Sequence, residues 1–221
     1  MKMDIGILGM GYVGLPLAIA MAEKYKVIGF DVDKNRISSL KMGIDKKKDV
    51  TSKQIKKTDL TYSNQPESLK NCNIYIVTVP TPIKNNKLPD FTFLRNASKI
   101  ISKYLKIGDI VIYESTVYPG ATEEICIPIL ETSSLKINKD FYVGYSPERI
   151  NVGDKVNTLK TIPKIVSASN KYSLKKIKKL YESVIDAEVR PVSSIKIAEA
   201  AKVIENVQRD VNIAFVNELA M

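Results

Sequence analysis

The chain has 221 residues, 44% of them hydrophobic and 26% charged, which suits one large soluble domain or a domain with an appendage. Its formal charge of +10 comes mainly from lysines scattered through segments such as "KKKD" and "LKKIKKL", the pattern of a solvated face. With no histidine and no helix-turn-helix, RNP or zinc-ligand spacing, the composition argues against a nucleic-acid partner and a metal site.

Two cysteines, Cys72 and Cys126, are too few for a disulfide framework and fit a reducing compartment. The first 22 residues mimic a secretory signal, but Asp4 and three regularly spaced glycines interrupt the apolar run. No run reaches the ~18 apolar residues of a spanning helix, so a cytoplasmic protein without membrane contact is expected.

Short β-rich runs alternate with helical segments along the chain. "DIGILG" (4–9) reads as a buried strand and leads into a helix through "VGLPLAIAMAEKY". "KVIGFD" (26–31) is the next strand, and "DKNRISSLKMG" a short helix closed by Gly43. The lysine-rich stretch 45–58 has no clear period and reads as loop or short helix. "IYIVTV" (74–79) is a third strand, followed by a proline-rich loop and a helix over about 91–105. "DIVIYES" and "FYVGYS" are further strands flanking the helical "ATEEICIPILE", and "KIVSA" precedes the helix "SLKKIKKLYESVI". Such alternation implies βαβ units, hence a doubly wound, Rossmann-like parallel sheet. The one plausible boundary lies near "RPVSS", dividing residues 1–192 from a terminal helix over 193–221.

Gly9-x-Gly11-x-x-Gly14 follows a strand and opens a helix. In that setting the first glycine makes the tight turn, the second admits a pyrophosphate and the third lets helix and strand pack closely. Asp31, 22 residues after Gly9, stands where an acid bonds the adenosine ribose and repels a 2′-phosphate, which selects NAD over NADP. Arg36 is placed to contact the adenosine, or equally to lie in solvent. The remaining strands run into "PTP" with Thr81, "TVYPG" with Thr116 and "PER" with Glu148 and Arg149. Strand termination explains the prolines, but not the polar side chains that repeatedly flank them at the ligand-binding edge.

From Ser193 to Met221 there is neither proline nor glycine, and Ala200, Val203, Ile204, Val207, Val211, Ala214 and Leu219 keep helical spacing over about 40 Å. Lys202, Asn206, Arg209 and Ile213 form one stripe, either an exposed polar face or a row of substrate contacts.

Taken together, "GMGYVGLPLA", "FDVD", "VPTP", "ESTVYPGATEE", "GYSPERINVGDK" and "AEAAKVIEN" resemble, in order and over essentially the whole chain, the nucleotide-sugar 6-dehydrogenases. The wording is most similar to the branch acting on UDP-N-acetylglucosamine or UDP-N-acetylgalactosamine in capsule and surface-polysaccharide synthesis. UDP-glucose and UDP-N-acetylmannosamine are the alternatives. The resemblance implies two-step oxidation of a sugar C6 alcohol to a carboxylate with two NAD⁺, through a cysteine thioester. It implies NAD contacts from Gly9, Gly11, Tyr12, Val13, Gly14, Asp31, Arg36, Thr81 and Thr116. Glu148, Thr116, Lys202 and Asn206 would serve the chemistry, with Arg149, Ile150, Lys202, Asn206 and Arg209 bordering the UDP-sugar. The last helix would be the start of a linking helix that supports a homodimer.

One departure stands against these agreements: the family's G-F-G-G-x-C-x-P-K-D motif is nowhere in the chain. Cys72 precedes its strand, at the wrong end of the sheet, and Cys126 sits on an apolar helix face, so neither replaces the nucleophile. The uncapped helix at Met221 reads as cut partway. The expectation is thus the NAD-binding half of such an enzyme, inactive in isolation, or else a non-catalytic NAD-binding and dimerisation module.

Overall fold

The computed structural model describes residues 3–57, 60–149 and 159–221, with the Lys57 side chain left aside. Its strands are β1 (Asp4–Leu8), β2 (Lys26–Phe30), β3 (Leu60–Ser63), β4 (Ile74–Val77), β5 (Ile110–Tyr113), β6 (Tyr142–Tyr145), β7 (Lys164–Ala168) and β8 (Val189–Pro191). They form one sheet in the order β3-β2-β1-β4-β5-β6-β7-β8. The helices are α1 (Gly14–Ala22), α2 (Lys34–Lys41), α3 (Ser52–Lys57), α4 (Thr92–Ser102), α5 (Ile127–Leu130), α6 (Lys171–Glu182) and α7 (Ile195–Ala220).

Strand alternation sorts side chains onto two faces. Ile5, Ile7, Ile74, Ile76, Ile110 and Ile112 pack with Leu15 and Ala18 of α1, Ile37 and Leu40 of α2, and Ile177 and Leu180 of α6. Leu8, Tyr75, Val77, Val111, Tyr113, Val143 and Tyr145 pack with Leu94 and Ile101 of α4, Leu130 of α5, and Ile195 and Ala198 of α7. Each fully buried aliphatic side chain contributes about 1.5–3 kcal/mol. Because every residue of β4 and β5 is buried, helices cover both sides of the sheet centre.

The doubly wound half is as the sequence pattern implies, with β1 through β6 all paired in parallel. Beyond β6 the mostly parallel sheet continues with one change of strand direction. β7 runs antiparallel to β6, and β8 pairs parallel with β7. An antiparallel neighbour re-enters the sheet at the end just left. Two strands escaped the pattern. β3, LTYS, buries only two of its four residues and so has no continuous apolar run, and β8 ends in Pro191, which an edge strand tolerates but a central one does not.

The segment expected as a regular helix from Ala121 to Glu131 starts instead with a π turn, Thr122–Cys126, in which Ile127 N–H bonds Thr122 O five residues back. Pro128 supplies the reason, since it has no N–H to give Glu124 and disrupts the regular ladder at that turn. The stretch 45–58 contains one short helix, α3, within its described part. Among the described residues no helix is long and apolar enough to cross a membrane.

Candidate active site at the carboxyl edge of the sheet

Each glycine of the first loop has its own reason to be there. Gly9 turns with φ +101°, and a Cβ on it would lie 3.0 Å from Thr78 O. A Cβ on Gly14 would fall 1.8 Å from Gly9 O, so helix α1 sits against the turn at a distance no other residue allows. Gly11 has nothing within 4 Å, the open approach that a phosphate requires. Thr78 Oγ1 donates toward Leu8 O at 3.0 Å and Gly9 O at 2.8 Å, tying the loop to the end of β4. Helix α1 starts without a side-chain cap; Leu15 N–H already donates to Gly11 O at 3.0 Å and Pro16 has no N–H, so the glycine loop itself forms the helix entry.

Asp31 follows β2 and accepts from Met10 N at 2.8 Å and Asp33 N at 2.9 Å. Those bonds aim its carboxylate beside the glycine loop and leave lone pairs for hydroxyl donors. Arg36 is buried. Its Nε donates to Met10 O at 2.7 Å, and its Nη1 pairs with Asp45 at 2.6 Å. Asp45 also accepts from the backbone N–H groups of Lys47, Asp49 and Val50. Burial pushes the Asp45 carboxyl up, but Arg36 and these N–H donors outweigh it and hold the pKa below its ordinary value. Arg36 thus braces the glycine loop against residues 45–50, a role its sequence position did not indicate. Its remaining Nη2 is buried without a protein partner.

A cleft of about 820 Å³ runs along this edge. It is lined by the glycine loop with Tyr12 and Val13, by Asp31 and Arg36, by Thr81, and by Glu114, Thr116 and Glu148. Every predicted cofactor contact except the packing residue Gly14 lines it. Thr81 Oγ1 is buried without a protein hydrogen bond, and Thr116 is exposed to the cleft. Ser115 Oγ donates to Val79 O at 2.6 Å, joining the loops after β4 and β5.

No residue of the predicted stripe on α7 lines the cleft, and Lys202 is tied to it only through Glu148. Ser194 caps the helix through Ile197 N at 3.2 Å. Glu199, fully buried, accepts from Gly120 N at 2.5 Å and Thr122 N at 3.0 Å and so fixes the loop that follows Thr116. One turn on, Lys202 Nζ donates to the carbonyl oxygen of Glu148. Burial lowers the Lys202 pKa, with Glu205 and Glu148 opposing that shift and Arg209 and Arg149 adding to it. Arg149 pairs with Glu205 at 3.1 Å, and Arg209 pairs with the same carboxylate at 2.7 Å. Asn206 Oδ1 accepts from Arg209 at 3.4 Å. Asn206 and Arg209 lie exposed on the helix, away from the cleft walls, and Ile150 lies outside the described residues.

Sequence reasoning missed a buried cluster under this end of the cleft. Lys164 Nζ, on β7, stands 3.2 Å from Glu114 Oε2 and 3.5 Å from Glu148 Oε2. Tyr181 of α6 donates to the other oxygen of Glu114. The available signals were a charged residue at each of two strand ends and a tyrosine on an apolar helix face, and no local spacing links them.

Both thiols are fully buried, and burial pushes each up to about 12, so neither is a nucleophile at neutral pH. Cys72 lies at the amino end of β4, on the far side of the sheet from the cleft.

Residues 3–185 match the UDP-glucose/GDP-mannose dehydrogenase family, NAD binding domain. The chain is 51% identical to the UDP-N-acetyl-D-glucosamine 6-dehydrogenase of Pseudomonas aeruginosa over 221 residues, covering 99% of this chain and 52% of that protein. It is likewise 51% identical to Protein CapL of Staphylococcus aureus, covering 100% of this chain and 52% of that one. The fold superposes on the UDP-D-ManNAc dehydrogenase of Pyrococcus horikoshii with a TM-score of 0.89 at 33% identity, over 98% of this chain and 53% of that structure. The chain spans about half the length of the curated relatives it matches. With the family match covering most of the sheet and the glycine loop, Asp31 and cleft in register, the chain belongs to the UDP-glucose/GDP-mannose dehydrogenase family through its NAD-binding domain.

Proposed function

We propose that this chain binds NAD⁺ and serves the hydride-transfer half of a dehydrogenase that oxidises the C6 alcohol of a UDP-N-acetylhexosamine to the uronate. The observation that carries the cofactor reading is the convergence of the glycine loop, Asp31, Thr81 and Thr116 on one cleft. The similarity to two UDP-N-acetyl-D-glucosamine 6-dehydrogenases supports the substrate class over UDP-glucose. Residues 1–192 would form the cofactor domain and 193–221 the start of a linking helix. Two free buried thiols fit a cytoplasmic setting.

The residues fit the cofactor. Gly9, Gly11, Tyr12 and Val13 would receive the pyrophosphate at the start of α1, with Gly14 keeping that helix close. Asp31 would bind the adenosine ribose, while Arg36 holds the loop in place. Thr81 and Thr116 would border the other half of the dinucleotide, with Glu148 at the nicotinamide end. Bound there, NAD⁺ supplies the hydride acceptor. Lys202, held below its ordinary pKa, is suited to take the C6 hydroxyl proton or to steady an oxyanion, and Glu148 to activate water in a later hydrolysis. Asn206, Arg149, Ile150 and Arg209 would border the sugar nucleotide. An acyl-carrying thiol is not supplied by Cys72 or Cys126.

The exposed apolar residues Ile204, Val207, Val211, Phe215 and Leu219 on α7 support pairing of this helix with a second copy. Calorimetric titration with NAD⁺ tests the cofactor reading. Asp31→Ala should weaken binding about tenfold, in line with a lost charge-assisted pair of hydrogen bonds. Unchanged affinity would remove Asp31 from the site.

A further inference from the structure

The cluster of Glu114, Lys164 and Glu148 is buried more deeply than a binding surface needs. Glu114 is 2% exposed and Lys164 5%, and both side chains are enclosed by the sheet end, α6 and the loop after β6. Lys164 is an ammonium shared by two carboxylates, and it stands slightly closer to Glu114 at 3.2 Å than to Glu148 at 3.5 Å. Its Nζ also reaches Pro147 O at 3.4 Å. Glu148 Oε1 accepts from Arg149 N at 2.6 Å, which fixes the carboxylate while its other oxygen faces Lys164. Glu114 and Glu148 both line the same cleft, at the opposite end from Asp31.

Resting on the NAD reading above, the end of the cleft opposite Asp31 receives the nicotinamide, because a dinucleotide lies across the strand ends with its adenosine on the β1–β2 side. The oxidised ring carries a positive charge and the reduced ring does not. We propose that Glu114 is a positioning residue that, by competing for Lys164, governs how much of the Glu148 charge is left to the nicotinamide, and so sets the preference of the chain for NAD⁺ over NADH. With Glu114 ionised, Lys164 is shared and Glu148 keeps part of its negative charge. With Glu114 neutral, Lys164 is free to neutralise Glu148, and the attraction for the positive ring falls. A dehydrogenase that must release NADH and reload NAD⁺ gains from such a bias.

Among the described residues, charged and titratable groups from several elements face the pair. Lys164 on β7, Tyr181 on α6, Tyr145 on β6 and Glu148 face Glu114. Lys164, Glu114, Tyr181 on α6, Lys202 on α7 and the Arg149–Glu205 pair face Glu148. Burial raises the Glu114 pKa, and Glu148 raises it further, while Lys164 and the Tyr181 hydroxyl lower it. The preference for NAD⁺ should therefore decline as pH falls through that raised pKa.

The test is the ratio of NADH to NAD⁺ dissociation constants, measured on the full chain by calorimetry from mildly acid to mildly alkaline pH. The ratio should fall on acidification. Glu114→Gln should lower it roughly three- to tenfold at alkaline pH, the size of one charge removed at short range under partial screening. Tyr181→Phe, which keeps the ring and removes only the donor to Glu114, should move the midpoint of the pH profile upward and provides the test if the glutamine variant does not fold. Asp31→Ala should weaken both forms equally and leave the ratio alone. If neither form binds, the cofactor reading fails and this proposal with it. If both bind and the ratio is flat with pH, or the Tyr181→Phe midpoint does not move, the cofactor reading stands and the role of Glu114 is overturned.

Discussion

At the Asp31 end of the cleft, residues between Gly9 and Arg36 make most of the wall, whereas the Glu148 end is assembled from β5, the loop after β6, β7, α6 and α7. The first end is held mainly by backbone geometry, with a positive φ at Gly9, a helix packed against its carbonyl and a carboxylate bonded to the loop N–H of Met10, and is braced by the buried Arg36–Asp45 pair, which needs no change of protonation. The second is held by charge, through Lys164 between two acids and Lys202 on the backbone of one of them. A site for a nucleotide, whose phosphates are always charged, can be rigid. A site where charge changes during reaction needs groups whose protonation can respond.

The sharpest way to break the first end is Gly14→Val. A Cβ there meets Gly9 O at 1.8 Å and Thr78 Oγ1 at 2.4 Å, and neither the turn nor helix α1 can retreat without losing the sheet contact. The expected cost exceeds about 4 kcal/mol. It should appear as loss of cooperative thermal unfolding and of NAD⁺ binding together. A variant with wild-type melting would mean that α1 is not seated where the structure has it.

The corresponding break at the other end is Lys164→Met. It leaves Glu114 and Glu148 buried without their shared cation, at a cost of about 3–5 kcal/mol at neutral pH. Here the pH dependence separates charge from shape. Burial already raises the folded pKa of Glu114 above its unfolded value, so its ionised form opposes folding and protonation relieves that cost as pH falls. Removing Lys164 raises that pKa further. The deficit should thus be full above the raised pKa and narrow steadily toward acid in denaturant titrations. A deficit constant with pH would assign the effect to packing alone.

The same contrast explains what was legible in the sequence. The β1–α1–β2 unit was readable because its glycines, its acid and its hydrophobic periods all fall within a single supersecondary unit. Arg36 was visible as a charge but not as a brace, since its partner Asp45 lies beyond the end of α2 in a stretch without periodicity. Glu114 and Lys164 are fifty positions apart and meet only because β7 enters the sheet antiparallel to β6, which no local pattern encodes. The π turn was hidden for a different reason: Pro128 was visible, but its effect on the preceding hydrogen bonds depends on how the turn is packed.

The smallest expected effect concerns α7, whose two halves repeat the contrast between fixed and open. Its first turns are locked, with Ile195, Ala198 and Glu199 buried, while Val207 is 56% exposed and Val211 59%. In a monomer, Val207→Ser removes little buried area and should change unfolding free energy by no more than about 0.5 kcal/mol. If a second copy covers this face, the same change should instead weaken association, and the melting temperature of the wild type should rise with protein concentration while that of the variant rises less. Sedimentation equilibrium on both proteins decides the matter. Two concentration-independent monomers would leave the outer half of α7 without a self-association role. A wild-type dimer weakened by a single serine would show that this helix, anchored at one end by Glu199 and Lys202 to the cleft loops, carries the contact between copies to within a few turns of the site.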